Sequence, residues 1–361
     1  MESLVNPSPA FWAGRNVFVT GHTGFKGAWL VLWLKRLGAT VTGYSLAPST
    51  DPNLFDLTQG AGIDRDVRGD VRDYDALAQC IESCRPEIVF HLAAQSLVRV
   101  AYRDPIGTFA TNVMGTVHLF EAIRRAAGVR AVLNVTSDKC YENRGLHRPY
   151  REDDPLGGND PYSASKACAE LATAAWRRAF FESGGSTALL ASVRAGNVVG
   201  GGDWADDRLV PDCIRAMRDG RTLDVRYPDA VRPWQYVLEP LCGYLLLAER
   251  LCGKDPAAAQ AWNFGPLEED GWPVSLVVDT VARLWGSSGG WRVDTLPKPP
   301  EAAFLKLDSA KARAHLGWHP RLRLNDTLAW TVDWYRRQAL GENATVLCME
   351  QIDRYERKTM P

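Results

Sequence analysis

Between positions 16 and 38 the chain passes from an apolar stretch, "NVFVTG", through a loop with three glycines, "TGHTGFKG", into "KGAWLVLWLKRLG", which stops at a glycine. That order leaves little freedom. A buried strand feeding a glycine loop and then a helix is the opening unit of a parallel, doubly wound sheet. Gly21, Gly24 and Gly27 fall where such a unit needs a tight turn, a backbone able to approach a pyrophosphate, and close contact between helix and sheet. Three glycines alone are a weak signal. At the first strand–helix junction they predict a dinucleotide site that includes Gly21, Thr23, Gly24, Phe25, Lys26 and Gly27.

The rest of the first half repeats the alternation. "TVTGYSL" (40–46), "EIVFHLAA" (87–94), "VRAVLNVTS" (129–137) and "TALLASVRAGNVV" (187–199) read as strands. "DYDALAQCIESC" (73–84), "GTFATNVMGTVHLFEAIRRAAG" (107–128) and "YSASKACAELATAAWRRAFFES" (162–183) read as helices. The pattern predicts an α/β fold, a Rossmann-type doubly wound parallel sheet. Beyond about Gly200 the segments shorten, and Gly, Pro, Trp and Arg become frequent. We therefore expect a cofactor domain over 1–199, with strands near 231–237 and 261–265 returning to it. A smaller substrate-binding lobe over 200–340 and a loosely held polar tail over 341–361 follow.

Bulk properties exclude several classes. With 361 residues, 46% of them hydrophobic, the chain can bury a large core. A formal net charge of -1 gives no field to draw it to nucleic acid or to an anionic membrane. The run "AWLVLWL" is too short to span a bilayer. Eight cysteines without a CxxC pair, and no signal peptide in "MESLVNPSPAFWAG", predict reduced thiols and a cytoplasmic protein.

The second strand ends "GYSLAP", with neither an acid for an adenosine ribose nor an arginine for an NADP phosphate. These residues leave NAD and NADP open. "RGDVRD" offers Asp70 and Val71 for the adenine. "HLAAQS" offers Leu92, Ala93 and Ala94 for the cofactor and Ser96 for the substrate, with His91 read as a core histidine.

"YSASK" sets Tyr162 and Lys166 four apart, on one face of a helix. That helix follows the strand ending at Ser137. A lysine ammonium near a tyrosine favours phenolate, the base that takes a proton from an alcohol as hydride leaves. Ser137 can hydrogen-bond the same alcohol. Asp138 and Lys139 come next in "TSDKCYEN", a second acid–base pair where a strand should end.

Gly21, Gly24 and Gly27 in GxxGxxG spacing, with Ser137, Tyr162 and Lys166, resemble the extended short-chain dehydrogenase/reductase family. Within it, "VFVTGHTGFKG", "TSDKCYEN", "YSASKACAEL" and "SVRAGNVVGGGDWADDRLVPD" are similar to the CDP-glucose 4,6-dehydratases. The resemblance covers the chain from Phe11 to about Tyr335. It implies bound NAD, a nucleotide-sugar substrate, a homodimer through the helices at 107–128 and 162–183 or a higher homo-oligomer, and a lyase that oxidises C4, removes water across C5 and C6, and returns hydride to C6. Elimination needs a base for the C5 proton and an acid for the C6 hydroxyl. Many such dehydratases have Asp-Glu where this chain has Asp138-Lys139, so the division of roles stays open.

For the substrate, Asn197, Arg208 and Leu209 in "RAGNVVGGGDWADDRLVPD" and Arg232 in "VRPWQYV" are expected at the sugar and diphosphate, arginine being suited to phosphate oxygens. Trp204 and Trp234 read as core. The rival readings are a sugar-nucleotide C4 epimerase and a non-catalytic nucleotide-sensing Rossmann protein.

Overall fold

The computed structural model describes residues 5–145, 148–183, 188–287, 290–295 and 304–359. The parts of the sequence expectations that fall on 1–4, 146–147, 184–187, 288–289, 296–303 and 360–361 lie outside them. Seven parallel strands form the central sheet. Its first six in chain order are β1 (Asn16–Thr20), β2 (Thr40–Ser45), β3 (Arg65–Arg68), β4 (Ile88–His91), β5 (Ala131–Val135) and β6 (Leu189–Arg194). In space the order is Ala261–Asn263, then β6, β5, β4, β1, β2 and β3. The chain thus winds outward from β1 in both directions. The C-terminal ends of β1, β4, β5 and β6 open side by side, which is where such sheets bind ligands.

β1, β4 and β5 are apolar runs because helices cover both faces. β3, "RDVR", is an edge strand with mostly exposed side chains. It has no apolar period, and its charges guard an open edge. The helix Phe25–Arg36 is apolar almost all round because it is covered on two sides. The sheet lies on one; on another, Trp33 Nε1 donates to Glu356 Oε1 at 2.8 Å.

Two long helical expectations are broken by wider turns. Pro105–Phe109 passes through a π-helical turn, Ala110–Met114, into Gly115–Arg125, and Pro161–Trp176 ends in another, Arg177–Phe181. Ala261–Asn263 lies on the edge of the main sheet beside β6. Val231–Pro233 pairs instead with Gly271–Pro273, and Gln235–Tyr236 with Val198–Val199, in small sheets of their own.

The expected loose tail is a docked helix, Ala344–Glu356, with Leu347, Cys348, Ile352 and Tyr355 buried. Those positions share one helical face, so a polar composition still yields an apolar stripe. The helix is held by a clasp. Glu239 accepts from the Arg321 and Leu322 amides at 2.8 Å each and from the Tyr355 hydroxyl at 2.7 Å. Burial pushes the Glu239 carboxyl up to about 7. Arg321 in turn donates to the Val5 carbonyl and to the Asn6 side chain.

Candidate active site

A cavity of about 810 Å³ opens along the strand ends, and all the residues expected at cofactor, reaction centre and substrate line it. At one end Gly21, with φ +74°, turns the chain out of β1, and a Cβ there would stand 2.7 Å from the Ala93 amide nitrogen. A Cβ on Gly27 would stand 2.2 Å from the Gly21 carbonyl oxygen. The helix that follows begins at Gly24 with no side-chain cap, so its first amides face the cavity without a built-in acceptor. This cradle of backbone fits a dinucleotide pyrophosphate. Thr20 Oγ1 meets His91 Nδ1 at 2.7 Å and accepts from the Leu92 and Ala93 amides, fixing the opposite wall. His91 is a core residue, its pKa lowered to about 3 by burial.

Thr23 Oγ1 bonds Ser45 Oγ at 2.8 Å and the Leu46 carbonyl at 3.0 Å, tying the glycine loop to the end of β2. The sequence reading placed no arginine there. The register Ser45↔Arg68 between β2 and β3 brings one in. Arg68 is committed, however: it pairs with Asp66 at 2.8 Å and lies 4.9 Å from the centre of the Phe55 ring. Asp70 is held by Arg72, whose hydrogen bonds keep its carboxyl below the usual range. Lys26 lies 5.8 Å from the Tyr244 ring centre. Burial, and then the cations Arg208 and Lys166, bring it down to about 7.

In the middle of the cavity, β5 ends in the turn bearing Ser137, Asp138 and Lys139. Ser137 Oγ donates to Asp138 Oδ1 at 3.0 Å and accepts from the Lys139 amide at 3.2 Å. Tyr162 and Lys166 come from Pro161–Trp176, which starts sharply because Asp160 caps it by accepting from the Ser163 amide at 3.0 Å. Ser137 lies near enough to the Tyr162 phenol to lower its pKa.

The electrostatics amend one expectation. Burial, not the lysine, dominates at Tyr162 and pushes it up to about 12, against the pull of Ser137 and Arg208. Lys166 is itself brought down to about 8 by burial, opposed by Glu170. Asp138 is buried, which raises its pKa although Lys139, Ser137 and Arg232 oppose the rise. Its Oδ2 has no hydrogen-bond partner among the described residues.

At the far end, Arg208 joins two expected substrate residues to one that sequence reading missed. It donates to Ser96 Oγ at 3.0 Å and to Asp203 Oδ2 at 3.0 Å. Asp203 is anchored through its carbonyl by the Tyr335 hydroxyl, from the helix Leu324–Ala339. Leu209 opens the helix Leu209–Arg218 beside it. Asn197 adopts φ 23°, outside the usual range for a side-chain-bearing residue. Arg232 is buried on its small strand. Arg99, also missed, reaches Asp207 at 3.0 Å across the cavity mouth. Trp204 and Trp234 are core, as read.

Comparison with known proteins agrees with this geometry. Residues 17–260 match the NAD dependent epimerase/dehydratase family. A CDP-glucose 4,6-dehydratase of Salmonella typhimurium is 48% identical over 348 residues, 96% of this chain and 97% of that protein. The crystal structure of a dTDP-glucose 4,6-dehydratase from Streptomyces venezuelae, solved with NAD, is 25% identical, with a TM-score of 0.76 over 89% of this chain and 97% of that one. A UDP-glucose 4-epimerase from Thermotoga maritima shares the fold, with a TM-score of 0.77 at 23% identity over 90% of this chain and 99% of that one. With the family matched across most of its length and a relative of nearly half-identical sequence covering almost all of it, the chain belongs to the NAD-dependent epimerase/dehydratase family.

Proposed function

We propose that the protein converts CDP-glucose to CDP-4-dehydro-6-deoxy-glucose, a step in deoxysugar synthesis. The observation that carries this reading is the buried Asp138, with one oxygen unpartnered, beside Ser137 and Tyr162. An epimerase needs no acid there. The likeness to the Salmonella enzyme supports both the reaction and the choice of CDP.

Residues of the glycine loop, with Val71, Leu92, Ala93 and Ala94, hold NAD against the sheet. Bound NAD supplies the hydride acceptor for C4 and the donor for C6. Tyr162 takes the C4 hydroxyl proton while Ser137 holds the oxygen. The new ketone acidifies C5–H. Burial raises the Asp138 pKa, which favours its protonated form. In this reading Asp138 donates to the departing C6 hydroxyl, which leaves as water, and Lys139 takes the C5 proton. Ser96, Asn197, Arg208, Leu209 and Arg232 grip the sugar diphosphate. The lobe over 200–340 serves mainly this grip.

The protein acts as a homodimer in the cytoplasm. Phe109, Met114, Leu171 and Phe180 are exposed on the two helical stretches expected to pair, and Ile106, 83% exposed, stands just before the first. That is an apolar face suited to a second copy. The eight cysteines are free thiols. Among the described residues no helix is long and apolar enough to cross a membrane.

The test compares kcat/KM for CDP-, dTDP-, UDP- and GDP-glucose and weighs the products. Loss of water, with C4 deuterium recovered at C6, is expected. Unchanged mass would make the protein an epimerase, and better use of dTDP-glucose would reject CDP.

A further inference from the structure

Beneath the reacting groups lies an ion pair that the reaction itself does not use. Glu170, one helical turn beyond Lys166, meets Arg194 at the end of β6, Oε2 to Nη2 at 2.7 Å, with side chains only 3% and 4% exposed. Burying two charges is costly unless every polar atom is occupied. Here every polar atom of the two side chains but Arg194 Nε has a partner among the described residues. Glu170 Oε1 accepts from the Thr136 hydroxyl, and Oε2 also accepts from Ser192 Oγ at 2.7 Å. Arg194 Nη1 donates to the Tyr141 hydroxyl at 2.8 Å and to the Glu152 carbonyl at 3.1 Å, and the guanidinium lies 4.9 Å from the centre of the Tyr141 ring. Tyr141 in turn donates to Asn263 Oδ1 at 2.7 Å, which joins the clamp to the strand on the far edge of the sheet.

Thr136 and Tyr141 are the residues just before and just after the turn carrying Ser137, Asp138 and Lys139. We propose that the Glu170–Arg194 pair is the clamp that positions this turn, Glu170 gripping its entry at Thr136 and Arg194 its exit at Tyr141. Both are positioning residues and touch neither substrate nor cofactor. The arrangement has a second effect. Lys166 faces Glu170, which favours its charged form, and it shares the site with Cys140, Lys26, His91 and Tyr162. The clamp therefore also keeps Lys166 protonated to higher pH.

This inference rests on the dehydratase reading, and the wild-type enzyme separates the two. Inactive wild type on all four nucleotide sugars overturns the function; active wild type with unaffected variants overturns only the clamp. Thr136→Val and Tyr141→Phe each cut one end of the clamp without unpairing a charge. In the NAD-loaded protein each should lower kcat at least about tenfold, as expected for misplaced catalytic groups, and move KM less than about twofold. Glu170→Gln should in addition shift the alkaline limb of the pH–rate profile to lower pH, a change Thr136→Val should not produce. If Glu170→Gln does not fold, the pair-neutral E170Q/R194M carries the same measurement, since a neutral replacement of both partners is often tolerated. Wild-type kcat in both hydroxyl variants, or a pH profile that superimposes on wild type once Glu170 is gone, would overturn the proposal.

Discussion

The two ends of the cavity are built by different means. The cofactor end is made of backbone: Gly21 and Gly27 leave room that any Cβ would fill, and the start of the helix supplies amides. The end proposed for the nucleotide sugar is made of side chains that hold one another. Arg208 leans on Asp203 and Ser96, and Arg99 on Asp207. A backbone site cannot yield without moving the sheet. A side-chain site exchanges partners, so its arginines can leave carboxylates for phosphate oxygens of similar geometry. Rigid retention of one ligand and exchange of another follow from that contrast.

Substitutions can break or sharpen this contrast. The largest loss is expected at the seam between the two ends. Tyr162→Phe should lower kcat by roughly 10²–10⁴-fold while leaving NAD bound, because the phenol supplies a proton acceptor and the backbone supplies the cradle. Retention of more than about a tenth of wild-type kcat would remove Tyr162 as the base. Next comes Gly27→Ala. A Cβ 2.2 Å from the Gly21 carbonyl must displace main chain. NAD affinity should drop about 100-fold in a fluorescence titration, the size of a severe single-site effect. Unchanged affinity would show that the cradle gives way after all.

Arg208→Lys should be milder. A point charge replaces a fork, so KM for the nucleotide sugar should rise about tenfold with kcat nearly kept. A collapse of kcat would mean that Arg208 acts in the chemistry. Glu239→Gln lies outside both ends and should leave turnover alone. The fold raises this carboxyl to about 7, favouring its protonated form. Its stabilising share is complete below the unfolded value and is lost as pH climbs through about 7. The glutamine does not titrate, so in urea unfolding it should gain on wild type from pH 5 to pH 8, by about 3 kcal/mol at most. Parallel curves for the two proteins would show the clasp to be indifferent to charge.

The same contrast explains what could be read from the sequence. Gly21, Gly24 and Gly27 are legible because a backbone demand leaves a residue type behind it. Tyr162 and Lys166 are legible because one helix sets their spacing. Asp203 under Arg208, and Arg194 under Glu170, are side-chain meetings decided by the fold, and nothing local to either residue announces them. β3 was missed because an edge strand needs no apolar face. Arg68 reaches the end of β2 only through that strand. The docked C-terminal helix did leave a signal, apolar positions 347, 348, 352 and 355 at helical spacing, which its polar composition masked.

The clasp around Arg321 also holds residues 5–6 beside residues 355–356. Asn6 donates to the Glu356 carbonyl at 3.1 Å, and one guanidinium reaches both the Val5 and Tyr355 carbonyls. None of these residues lines the cavity. These two described segments are therefore near enough to be joined by a short linker, and the sequence can be reopened elsewhere. Gly220 stands in a turn where an added Cβ would meet nothing within 4 Å. A permuted chain starting there keeps every strand of the central sheet in one piece.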